Sequence, residues 1–323
     1  MDLTNPIFHD EEAARAYFEE TRWPNGPYCP HCGSVSVIRM AGEKHRDGAF
    51  NCRDCREQFS ATVGTVFERS HVPMHKWLLA NHLMNASKKG VSAHQLHRTL
   101  HVSYKTAWFM CHRIREAMRD ASPLPLGGEG KVIEEDEAYH GKRETPRVRN
   151  KYSPPPTKRG KGGGAEKRPI FALVERGGAA RAFHMPVVSA KNIREKLDQH
   201  ADKKSRLHTD ESNLYPGTGR LFASHETVNH GAKEYARGDV TTNTVEGFFG
   251  IFKRGMVGVY QHCGEQHLQR YLDEFSFRYS NRMRLGYSDT DRAELALKGT
   301  VGKRLTYRRI GDAAAAGNPT TEA

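Results

Sequence analysis

Two cysteine pairs constrain this chain more than any other feature. Cys29-Pro30-His31-Cys32 is followed, after a 19-residue gap, by Cys52-Arg53-Asp54-Cys55. Each pair can sit on its own tight turn, and two such turns present four thiolates tetrahedrally to one Zn²⁺. Short strand-forming runs lie between them, at residues 35–40 and 49–51, so a zinc ribbon is expected here. A ribbon this small lacks a core and takes its folding energy from the metal. With Cys29, Cys32, Cys52 and Cys55 filling all four positions, the site is closed and structural, not catalytic. His31 lies inside the first turn and is expected to face solvent. The chain has six cysteines, and two close pairs in a cytosolic chain indicate metal ligation instead of a disulfide framework.

Composition then limits the partners. At 323 residues the chain has room for two or three modules. A net charge of +12 favours a polyanion, most simply nucleic acid, although basic proteins are common. Met1-Asp2-Leu3-Thr4 is neither basic nor apolar, and no run approaches the roughly 20 apolar residues of a spanning helix. No membrane partner and a cytoplasmic location are therefore expected.

Three helices are expected after the ribbon. An earlier one, capped by Asp10 and running to about residue 21, is read as packing only. Pro73 starts the first of the three, with Trp77, Ala80, Leu83 and Met84 on one face. Ser92-Ala93-His94-Gln95 has the form of a capping box and opens the second, through Leu100. After the turn His101-Val102-Ser103, Ser103 caps the third, from Tyr104 to about Ala121, with Ala107, Met110, Cys111, Ile114 and Met118 inward. Two short helices joined by such a turn are the helix-turn-helix pattern. Tyr104, Lys105 and Arg113 are the expected DNA contacts, with His112, Arg115 and Arg119 adding charge. A plain three-helix linker bundle is the alternative.

Residues 122–128 read as a linker, and 131–139 as a strand carrying Glu134, Glu135, Asp136 and Glu137. Alternation puts Glu134 and Asp136 on one face and the other two opposite, without saying which face bears a site. Residues 142–168 hold ten Lys or Arg against two Glu, with a Pro and a Gly triplet, and read as a mobile basic loop. Strands are expected at 170–174 and 180–187, a helix at 191–200, and strands at 206–210 and 225–229. Thr241 or Thr242 caps a helix to about Lys253, and 266–282 reads as the final helix. The class is α+β, and the large unit is a mixed sheet with helices on it, in the element order of the RNase H-like fold.

Within that unit, 35 residues separate Asp210 from Glu246, and Lys253 stands two helical turns beyond Glu246. On a helix Asn243, Glu246 and Lys253 share a face. Asp136 would complete a three-carboxylate set, which cannot stay ionised cheaply without a cation. Hard oxygen donors suit Mg²⁺ (or Mn²⁺), whose usual partner is phosphate. The expected chemistry is metal-dependent strand cleavage or transfer, with Lys253 at a backbone phosphate. An exposed helix face would give the same Glu246–Lys253 spacing.

Together with Gly64-Thr65-Val66-Phe67, Val228-Asn229-His230, Lys253-Arg254-Gly255 and Glu274-Phe275-Ser276-Phe277-Arg278-Tyr279, these motifs resemble the DDE transposases of bacterial insertion sequences, in the subgroup with an amino-terminal zinc ribbon. The resemblance implies that Asp136, Asp210 and Glu246 are the catalytic, Mg²⁺-binding acids and Lys253 the basic residue after them, with Asn243 a secondary candidate. The subgroup usually follows its first acid with Glu-Thr-Tyr and a Gly pair. Here Glu137-Ala138-Tyr139-His140-Gly141 stands instead, and His140 has no assigned role. The implied function is cleavage of double-stranded DNA at transposon ends and 3′-hydroxyl strand transfer into target DNA. The implied setting is the bacterial nucleoid, as a homodimer or larger assembly. The expected units are 1–70 (ribbon), 71–122 (helix-turn-helix), 129–310 (catalytic) and a disordered tail, 311–323. A regulator with a dead large domain and a nuclease that never joins strands are the rivals.

Overall fold

The structure, a computed structural model, describes residues 2–42, 45–142, 167–212 and 214–306. Most of the expected basic loop, and the expected tail, lie outside the described residues.

Asp10 accepts from Ala13 N at 2.7 Å and starts helix α1 (Glu11–Arg22), which buries Ala14 and Phe18. The ribbon is a three-stranded antiparallel sheet, β1 (Val37–Arg39), β2 (Ala49–Cys52) and β3 (Gln58–Ser60). The third strand was not expected. It completes a small aromatic cluster: Phe59 stacks on its cross-strand partner Phe50 at 5.5 Å, and Trp23 meets both edge-on. The ribbon therefore leans on the end of α1 as well as on a metal.

Helices α2 (Met74–Ala86), α3 (Ala93–Leu100) and α4 (Tyr104–Met118) follow. Ser92 caps α3 through Gln95 N and Ser103 caps α4 through Thr106 N, each at 3.1 Å. α4 stops at Met118, earlier than expected, because Arg119 turns extended.

A five-stranded sheet comes next: β4 (Val132–Lys142), β5 (Lys167–Glu175), β6 (Ala180–His184), β7 (Arg206–Thr209) and β8 (Ser224–Thr227). Its order is β6-β5-β4-β7-β8. The first three pair antiparallel, while β7 and β8 run parallel to β4. β5 is buried over nearly its whole length because both faces are covered. Helix α5 (Ala190–His200) lies on one face with Phe171, Leu173 and Leu207. After β7 comes a single turn, α6 (Pro216–Gly219), and after β8 a two-stranded ribbon, β9 (Ala236–Arg237) and β10 (Val240–Thr241). The other sheet face carries α7 (Asn243–Gly255) and α8 (Leu268–Ser280), through Phe248, Phe252, Leu272 and Phe275. A π-helical turn, Met256–Tyr260, follows α7 directly. At Gly255 a Cβ would stand 2.4 Å from the Phe275 ring and 2.7 Å from Lys89 O, so glycine lets α7 end against the α2–α3 loop.

The helix at 266–282 is shorter than expected and is not the last. Ser288 and Asp291 close a capping box on α9 (Asp289–Lys298). α9 belongs to the amino-terminal core, where Ala296 and Leu297 join Phe18, Trp77, Met110 and Ile114. A buried ionic cluster ties that core to the sheet. Arg115 Nε on α4 donates to Glu274 Oε2 on α8 at 2.7 Å, Tyr260 Oη to Glu274 Oε1 at 2.6 Å, and Arg278 also pairs with Glu274. Among the described residues no helix is long and apolar enough to cross a membrane.

Candidate active site

The acids meet where two parallel strands stop at different lengths. β4 and β7 pair with Glu134 opposite His208. Two residues further, the same register brings Asp136 level with Asp210, just past the end of β7 at Thr209. Because β7 has ended, that edge of β4 is open, and Glu137 reaches the same space despite its opposite strand parity. One carboxylate oxygen from each of Asp136, Glu137 and Asp210 lies within 4.8 Å of the others. Burial, then the charges of Glu137, Asp210 and Glu246, push the Asp136 carboxyl up to about 7. Burial likewise raises Glu137, with Asp210 adding to it. Glu135, fully buried behind them, is raised further by burial and then by Glu137. Neither Glu135 oxygen, nor Glu137 Oε1, has a hydrogen-bond partner of ordinary geometry among the described residues, and the Tyr215 hydroxyl partly offsets the rise at both acids. Asp136 and Asp210 each accept one backbone bond, from Glu137 N at 2.7 Å and Ser212 N at 3.0 Å; carboxylates this dense, with oxygens to spare, fit a divalent cation, and their hard oxygens fit Mg²⁺ or Mn²⁺.

Glu246 enters from the first turn of α7. Thr242, the residue before that helix, makes no side-chain capping bond. Glu134 does the work from the sheet. Fully buried, it accepts from Thr244 N at 2.6 Å, Thr244 Oγ1 at 2.8 Å and Val245 N at 3.1 Å. Arg176 donates to it at 2.7 and 3.0 Å. A strand carboxylate thus caps the helix and fixes α7 on the sheet face that carries Asp136. Thr242 Oγ1 donates to Glu246 Oε1 at 3.0 Å, and His230 Nε2 lies 3.7 Å from that oxygen. Glu246 stands outside the compact trio of Asp136, Glu137 and Asp210, yet near enough for its charge to act on Asp136. Asn243 and Lys253 are exposed, and Lys253 Nζ lies 5.9 Å over the Phe249 ring. His140 packs edge-on against Phe252 at 5.4 Å.

The four ribbon cysteines also converge. Their Sγ atoms all lie within 4.8 Å of one another, with Cys29–Cys55 and Cys32–Cys52 at 3.6 Å. A tetrahedron of Zn–S bonds of about 2.3 Å has edges of about 3.8 Å, so the donor set fits Zn²⁺. His31 is exposed beside it.

Residues 125–280 match the ISXO2-like transposase domain, and residues 9–58 match the transposase zinc-ribbon domain. An uncharacterized protein in transposable element ISH50 of Halobacterium salinarum is 32% identical over 276 residues, covering 84% of this chain and 91% of that protein. The chain belongs to the ISXO2-like transposase family.

In this transposase the matched domain runs from just before β4 to the end of α8 and contains every acid of the site. Helices α2, α3 and α4 lie between the two matched segments. There Tyr104 and Lys105 are exposed, and Tyr104 stacks on His94 at 4.3 Å. Arg113, the third expected contact, is only 9% exposed, with its guanidinium over the Phe109 ring. His112 and Arg115 are buried too, because α4 is packed on every side from Met110 to Arg115. Sequence reasoning missed two residues at the transposase site. Glu137 is one of four adjacent acids between which alternation does not choose, and the resemblance picks Asp136 alone. His230 sat in the quoted Val228-Asn229-His230 run without a role; its turn is held by Glu211, which accepts from His230 N and Gly231 N at 2.9 Å.

Proposed function

We propose that this transposase cleaves double-stranded DNA at the ends of its element and joins the freed 3′-hydroxyl to target DNA. The observation that carries the reading is the β4–β7 register, which sets Asp136 beside Asp210 under the start of α7. Asp136 and Asp210 are the principal cation ligands, with Glu246 reaching in from the helix and Glu137 from the strand. When bound, Mg²⁺ or Mn²⁺ neutralises these acids and polarises the reacting phosphate oxygens. Lys253 meets a backbone phosphate, and Asn243 offers an amide on the same helix face.

The strand order, three antiparallel strands and then two parallel to the first, supports an RNase H-like catalytic unit across residues 129–310. The capped pair α3 and α4 supports a helix-turn-helix unit across residues 71–122, with Tyr104 and Lys105 toward the duplex. The ribbon unit covers residues 1–70. Joining requires two ends, so a homodimer or larger assembly on DNA is proposed. Asp210→Asn should keep the fold and cut Mg²⁺-dependent nicking by about 1,000-fold or more; nicking at the wild-type rate would overturn the assignment. A pre-cleaved end with a free 3′-hydroxyl tests the second step. Joined product is expected, and hydrolysis alone would leave a nuclease.

A further inference from the structure

A cleft of about 360 Å³ separates the start of α4 from the segment that follows α7. We propose that it holds an unpaired nucleotide base of the bound DNA, a site that rests on the DNA reading above but is distinct from the acidic centre. Its volume falls in the range of small-ligand sites, on the order of 300–1,000 Å³. Aromatic planes dominate its wall: Tyr104, Trp108, Tyr260 and Tyr271. Tyr104 is 43% exposed and stacked on His94, so the pair offers an outward ring face at the mouth. Trp108 is half-buried and held against His112 at 4.2 Å.

The lower wall is rigid for its own reasons. Tyr260 is anchored by its 2.6 Å bond to Glu274, and the Arg115 guanidinium lies 4.0 Å from the Tyr271 ring centroid. The opposite lip is a tight turn. His262 N bonds to Tyr260 O at 2.6 Å across Gln261, whose φ of 58° and ψ of −50° form a γ-turn rarely adopted by a residue with a side chain. That turn leaves Gln261 and His262 exposed at the cleft, as an amide and an imidazole able to meet the edge of a base.

Charge selects the occupant. Arg98 is exposed on the cleft wall, and no carboxylate lines the cleft among the described residues. A cationic ligand has nothing to pair with there, while a nucleotide finds stacking faces and a phosphate partner. Position agrees. The lip continues α7, the helix of Glu246 and Lys253, and the opposite wall is α4 with Lys105. Lys105 adjoins Tyr104 at the cleft mouth, so a base leaving the stack of DNA held there would enter it.

The test uses the full-length, zinc-loaded protein and two short DNA duplexes at low salt, one fully paired and one with a single unpaired 2-aminopurine. The bulged duplex should bind about 10- to 100-fold tighter, with its 2-aminopurine emission quenched by stacking. Tyr104→Ala should weaken binding of both duplexes, since Tyr104 also faces the paired duplex, but should bring their affinities to within a few-fold of each other; Tyr104→Phe, which keeps the ring, should restore the preference. Equal affinity for both duplexes, or a preference untouched by Tyr104→Ala combined with His94→Ala, would overturn the cleft while sparing the DNA reading. If neither duplex binds, both readings fall.

Discussion

The zinc ribbon and the acidic site each gather side chains that could hold a metal ion, but they solve opposite problems. In the ribbon, soft thiolates come from two tight turns, and each pair is complete within four residues of chain. The ligands satisfy one another's geometry locally, and the site closes. The acidic site gathers hard carboxylates from a strand interior, a strand end and a helix start. Nothing local brings them together, and burial raises the cost of charging them side by side. The ribbon uses its metal to fold, whereas the acidic site must fold in spite of its charges.

That contrast is broken most sharply at the ribbon. Cys52→Ser should unfold the ribbon sheet, because zinc binding on the order of 10 kcal/mol is folding energy there. Metal analysis should show the zinc lost, and Trp23, packed on Phe50 and Phe59, should shift its emission toward that of exposed tryptophan. Retained zinc with native emission would show that the other three cysteines suffice. The acidic site should respond in the reverse sense. Asp136 is pushed up to about 7 in the fold, against about 3.9 in an unfolded chain. Between about pH 4 and about pH 7 the folded state therefore binds the extra proton, and stability without Mg²⁺ falls as pH rises through that window. The loss is on the order of 1–3 kcal/mol after solvent screening. Thermal melts should show this slope, smaller in Asp136→Asn because Glu135 and Glu137 share it, and flattened by Mg²⁺. A slope that Mg²⁺ leaves unmoved would mean that these acids are not its ligands.

The same contrast explains what could be read in the amino-acid sequence. The ribbon ligands and the caps at Asp10, Ser92 and Ser103 are local, and their spacing is their structure. Helix phase on α7 was legible for the same reason. The choice among Glu134, Asp136 and their neighbours was not, since it depends on the β4–β7 register, a pairing between segments some seventy positions apart. Glu137 could not be singled out because alternation leaves both faces of the strand open, and its approach to Asp210 depends on where β7 ends. The burial of Arg113 was not legible, because His112, Arg113 and Arg115 make this stretch of α4 read as a charged face while distant elements pack around it. α9 carries a local signal in Ser288 and Asp291, but no strong apolar stripe marks the helix behind it.

If the acidic site is held by distant elements, the residue that joins them should matter more than its lack of any metal-ligand role suggests. Glu134 is that residue. It carries the same carboxylate as its neighbours, yet its oxygens are occupied by the α7 backbone, Thr244 and Arg176. Glu134→Gln keeps the size and one acceptor but loses the charge that holds Arg176 and faces the positive end of the helix. The expected cost is about 1–2 kcal/mol, read as a lower midpoint in denaturant at unchanged slope. Zinc content should stay that of the wild type, since the ribbon shares none of these contacts. Mg²⁺ should stabilise the variant less than the wild type, because Glu246 rides on the helix that Glu134 caps. A variant that loses stability but keeps its full response to Mg²⁺ would show that Asp136, Glu137 and Asp210 hold the cation without help from α7.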